Sequence, residues 1–161
     1  MSNKSNTEQS SGEGMSLLAQ LRQRRDEISQ ELSQPLNLPV PGYDNLLWVR
    51  TKRIEWEQVN KIASRKARKG QDAASLQKEQ AADLIIATTE CVYFVERGQE
   101  RVVSERWDDT LAEALGFTAP SARGVVMGVF NNDFAMVQFN NQIYQWLQGE
   151  EVEVLTELEG E

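Results

Sequence analysis

Three times in the last third of the chain, a residue that caps helices stands directly before a short apolar run. Asp108 or Asp109 precedes Leu111 to Leu115, with Gly116 after. Ser121 precedes Ala122 to Phe130, and Asn132 or Asp133 precedes Phe134 to Leu147, with Gly149 after. Asp, Ser and Asn accept hydrogen bonds from the N–H groups that a helix start leaves unpaired, and glycine adopts the left-handed backbone that ends one. This punctuation predicts short helices joined by brief loops. In the last of them Met136, Phe139, Ile143, Trp146 and Leu147 fall at i, i+3, i+7, i+10 and i+11, a stripe wide enough to seat on a core helix.

Upstream the same period recurs. Leu18, Leu21, Ile28 and Leu32 are three, seven and four residues apart, which predicts a helix over 16–32 whose apolar stripe is interrupted by Arg25. Arg22 and Asp26 are spaced for an ion pair on its polar side. Residues 36–43, LNLPVPGY, read as a loop, with Pro41-Gly42 at the centre of a type II turn. Residues 45–53, NLLWVRTKR, suit one edge strand. Trp56, Val59, Ile62 and Ala63 predict a helix over 55–69 ended by Gly70. A longer core helix is expected over 73–93, with Leu84, Ile85, Thr88, Cys91, Val92 and Val95 on one side. Residues 93–103 either extend that helix or turn as a hairpin at Arg97-Gly98-Gln99. The expected fold is mainly α: a single compact helical domain over 15–149 with at most a small β element, strand or hairpin. Its ends are expected to be flexible, a polar tail over 1–14 and an acidic one over 150–161.

Composition removes much chemistry. The 161 residues contain no histidine and one cysteine, with 17 basic and 25 acidic side chains and a formal charge of −8. Histidine triads, imidazole zinc sites and intrachain disulfides are therefore excluded. No segment has the ~18 apolar residues of a membrane span. Asp108 and Asp109, beside Glu105, read as helix caps before they read as an acid–base or Mg²⁺ site, and Glu90 as solvent-facing. Cys91 lacks a basic neighbourhood and reads as a buried structural thiol. The glycines form no phosphate cradle, and Gly124 with Gly128 reads as a surface for close helix packing. No catalytic, cofactor-binding or metal-binding residue is assigned.

Charge is unevenly placed. Residues 50–70 hold eight basic and two acidic side chains, 8 − 2 = +6, whereas residues 71–161 hold five basic and seventeen acidic, 5 − 17 = −12. The basic block, with Lys66, Arg68 and Lys69, suggests a nucleic-acid contact with Trp48 or Trp56 stacking on bases. Two facts oppose it. Those cations favourably face the negative end of their own expected helix, and a pI of about 4.7 repels a polyanion at long range.

The segments LPVPGYDNLLWVR (38–50), WEQVNKI (56–62) and NNDFAMVQFNNQIYQWLQG (131–149), in that order, resemble tail assembly chaperones of long-tailed bacteriophages, especially those of actinobacteria. The resemblance spans roughly residues 15–151. It implies a non-enzymatic protein of the host cytoplasm that coats the helical tape measure protein and keeps it soluble. Such a protein helps recruit tail tube subunits and is absent from the finished virion. It also implies that such a chain is often the shorter of two frameshifted products. The candidate contacts are Leu18, Leu21, Ile28 and Leu32, then Met136, Phe139, Ile143 and Trp146, with an intramolecular core as the competing use of each stripe. A homo-oligomer is compatible with either.

Overall fold

Thr88 and Thr89 mark the point where the chain changes period. Each hydroxyl bonds back to a carbonyl four residues earlier, Thr88 Oγ1 to Leu84 O at 2.7 Å and Thr89 Oγ1 to Ile85 O at 2.6 Å. The helix stops there without glycine or proline, because the β-branched residues cap its carbonyls themselves and then pass into extended backbone. The expected helix over 73–93 is thus a helix followed by a strand.

In the computed structural model, residues 16–150 and 152–154 are described. The expected tails lie outside these residues, apart from Glu150 and residues 152–154. The elements in chain order are α1 (Leu17–Ser33), β1 (Leu36–Pro39), β2 (Leu47–Thr51), α2 (Trp56–Ala63), α3 (Ala73–Thr88), β3 (Thr89–Glu96), β4 (Gln99–Ser104), α4 (Asp109–Ala114), α5 (Ala122–Phe130) and α6 (Asp133–Leu147). They divide into two units, one carrying α1 and the other beginning at Pro35. Among the described residues, no helix is long and apolar enough to cross a membrane.

The fold is mixed α/β, not mainly α with a small β element. Four strands form an antiparallel sheet in the order β1-β2-β3-β4. Residues 36–39, expected as loop, pair Leu36 with Thr51 and Leu38 with Val49, so β2 is an internal strand rather than an edge. Proline is tolerated in β1 because that strand is the edge. Gly42, at φ +91°, supplies the left-handed residue the turn after Pro41 needs. The open question over 93–103 resolves as a hairpin: Arg97 and Gly98 both have positive φ, and Glu96 pairs with Gln99.

One sheet face, with Leu38, Leu47, Val49, Thr51 and Val92, is buried in a common core with Leu84 and Ile85 of α3, Val126 of α5, and Met136, Phe139 and Ile143 of α6. Trp107 stacks on Phe130 and donates from Nε1 to Thr89 Oγ1 at 2.8 Å, and Phe130 meets Phe139 edge-on at 5.0 Å. A Cβ on Gly128 would collide with the Phe117 ring, which packs directly against that glycine. On the opposite sheet face Arg50 lies 4.7 Å over the Tyr93 ring and donates to Asn37 Oδ1 at 3.1 Å and Glu100 Oε2 at 2.5 Å. Tyr93 donates to the same Asn37 oxygen at 2.9 Å, so one polar cluster ties all four strands together.

Candidate partner-binding surfaces

α1 begins at Ser16, whose hydroxyl accepts from the Ala19 N–H at 3.3 Å, and runs about 25 Å. Not one of its residues is buried. Leu18, Leu21, Ile28 and Leu32 are 66%, 56%, 41% and 46% exposed, and Leu17 adds to the same apolar strip. Among the described residues the strip is exposed along the whole helix, and an isolated helix of this length is marginal in water, which makes the strip a candidate contact surface. Its polar side is organised differently from the spacing rule. Arg24 reaches both Glu27 and Glu31 at 3.2 Å, and no Arg22–Asp26 pair forms among the described residues.

The second expected contact stripe is corrected. Met136, Phe139 and Ile143 are buried in the core, and Trp146 is half-buried with the Arg53 guanidinium 4.3 Å above its ring. The wide stripe of α6 closes the domain and is not available to a partner. An adjoining side of α6, half-buried except at Phe134, carries what the sequence reading missed. Phe134 is 89% exposed beside a hollow of about 350 Å³ lined by Ala74, Lys78 and Val137. A second hollow of about 220 Å³ lies between Ile62, Gln80 and Asn140, and a third of about 310 Å³ between Trp56, Arg53 and Leu147. Val59 and Tyr144 line both of the latter two, and Gln77 lines the first two, so the hollows adjoin along one side of α6. Residues 134, 137, 140, 144 and 147 step along that side at the helical period, about 90° away from the buried stripe. Only their neighbours decide which stripe is inside.

The basic block is also rearranged. α2 ends at Ala63, so Lys66, Arg68 and Lys69 lie in the connection to α3 and not at a helix end as expected. Arg65 and Arg68 both grip Glu79, at 2.6 and 2.5 Å, with Gln71 Nε2 donating to the same carboxylate at 2.8 Å. The Gln71 amide, then the guanidinium groups of Arg68 and Arg65, pull the Glu79 carboxyl from 4.5 to about 2. Arg123 holds Asp83 through two hydrogen bonds, at 2.7 and 2.9 Å. Half the cations of the loop are thereby neutralised, leaving Lys66 and Lys69 exposed.

The carboxylates near Trp107 do structural work. Asp108 caps α4 by accepting from the Leu111 N–H at 3.3 Å and also accepts from Ser104 Oγ at 2.9 Å. Among the described residues no cluster of three or more acidic, cysteine or histidine side chains could hold a metal ion. Glu90 is exposed, on β3 and not on a helix. Cys91 is buried, and that burial raises its thiol pKa, the opposite of what a nucleophile requires. No known family model, curated protein or solved structure matches the chain.

Proposed function

We propose that this chain is a tail assembly chaperone of a long-tailed bacteriophage, acting without covalent chemistry in the host cytoplasm. It binds the helical tape measure protein, keeps it soluble, helps recruit tail tube subunits, and leaves before the virion is complete. The observation that carries this reading is α1, a regular helix that buries none of its residues and exposes five aliphatic side chains on one strip. Burying such a strip against another helix is the standard means by which helical segments recognise one another. The order of the resembling segments is what supports the tape measure protein as the partner.

Co-expression with the tape measure protein encoded in the same genome tests it. The expected result is that the tape measure protein becomes soluble and co-purifies, and that Leu21→Glu with Ile28→Glu abolishes both. Unchanged solubility with no co-purification overturns the proposal. Nucleic-acid binding has less support, since Arg65 and Arg68 are held by Glu79. Retention on DNA or RNA that falls with salt and disappears in the Lys66→Ala, Lys69→Ala variant would reverse that ranking.

A further inference from the structure

The exposed strip of α1 contains one residue out of character. Arg25 occupies the step between Leu21 and Ile28, so that Leu18, Leu21, Arg25, Ile28 and Leu32 follow a 3-4-3-4 spacing. That is the core rhythm of a two-heptad coiled coil, with Arg25 at the middle core position. Arg24, its neighbour, is neutralised by Glu27 and Glu31. Arg25, and Arg22 on the edge of the strip, form no ion pair among the described residues. Among the described residues a cation thus stands without an ion-pair partner at the centre of the strip.

Two kinds of partner meet this differently. A second copy of α1 brings another Arg25 against the first if the helices run parallel, or Leu21 or Ile28 if they run antiparallel. Either way an unpaired guanidinium is stripped of water, which opposes association. A helix with the same apolar spacing and a carboxylate at the facing core position offers Arg25 a charge-assisted, bidentate partner inside a dry seam.

We infer that α1 docks a helix whose apolar seam carries an aspartate or glutamate opposite Arg25, and that Arg25 bars copies of α1 from pairing with one another. This rests on the reading of α1 as the partner-binding element.

Both halves are tested on the full chain. In sedimentation equilibrium, Arg25→Leu self-associates at least about tenfold more tightly than the wild type, and adding Leu21→Glu reverses the gain. Equal association of Arg25→Leu and wild type overturns the inference, as does a wild type that already associates through α1 and loses this with Leu21→Glu alone. The second probe is a helical peptide of about four heptads with Leu and Ile at its core positions and Glu at one central core position, compared with the same peptide carrying Lys there. The wild type prefers the Glu peptide about tenfold, and Arg25→Glu inverts the preference. No preference, or binding of neither peptide, overturns it. If the peptide preference holds while the tape measure protein is not retained, the identity of the partner fails and the seam chemistry stands. Retention of the tape measure protein through α1 but independent of Arg25 sinks this inference alone.

Discussion

α1 and α6 are similar in length and both carry an apolar stripe at the helical period, yet one buries nothing and the other closes the core. The difference lies in what surrounds the stripe. α1 carries Arg22, Arg24, Arg25, Asp26, Glu27 and Glu31, with one of them inside the stripe itself, whereas α6 has Asp133 as its sole charged residue. The α6 stripe is built from Met136, Phe139 and Ile143, large side chains that reach a neighbouring layer, while α1 presents separated aliphatics. An apolar period therefore identifies a helix that needs cover. The width of the stripe and the charge around it decide whether that cover comes from within the chain.

The sharpest way to break this contrast is Phe139→Ala, which removes an aromatic ring from the core and is expected to cost about 3–5 kcal/mol in urea or thermal unfolding. Thr89→Val is next. It leaves the buried Trp107 Nε1–H without its acceptor, with an expected loss of about 1–3 kcal/mol and a change in tryptophan fluorescence. Glu79→Gln acts through pH. The Glu79 carboxyl is depressed from 4.5 to about 2, so its contribution is fully present above the ordinary carboxylate range. That contribution is lost as pH falls from about 4.5 to about 2. The variant should show a flatter decline of stability over that window, and an unchanged slope would mean that the cluster around Glu79 does not persist in solution. The smallest effect belongs to Leu21→Ala, within about 0.5 kcal/mol of wild type in global unfolding, as for an exposed residue. A loss comparable to Phe139→Ala would mean that α1 is packed, and the contrast would collapse.

The last three helices were legible because their caps are local. Asp108, Ser121 and Asn132 each accept from the backbone N–H three residues on, and that chemistry is written in adjacent letters. The sheet was not legible. Its central pairing joins Thr51 to Thr89, and the helix-to-strand change at Thr88-Thr89 carries no glycine or proline to announce it. Tyr93, Val92 and Cys91 alternate across two faces, but a run of apolar residues after a helix fits a longer helix equally well until its partners are known. α2 ended early because Arg65 and Arg68 turn toward Glu79, a distant charge that helix-end rules ignore. Among the candidate contacts, the exposed aliphatics of α1 were identifiable from spacing, while Phe134 was missed because it opens its helix off the main stripe. Exposure of an aromatic in a first turn has no periodic signature.

The internal position of β2 has a consequence for synthesis. Strands β1 and β2 form an antiparallel pair, yet the other side of β2 stays uncovered until β3 is made, and 37 residues, 52–88, separate the two. At ribosomal rates of about 5–20 residues per second, the nascent hairpin waits about 2–7 seconds with the flank of Leu47, Trp48 and Val49 open. Lys52 and Arg53, translated immediately afterwards, place positive charge at the end of that flank and discourage neighbouring nascent chains from adding a strand to it.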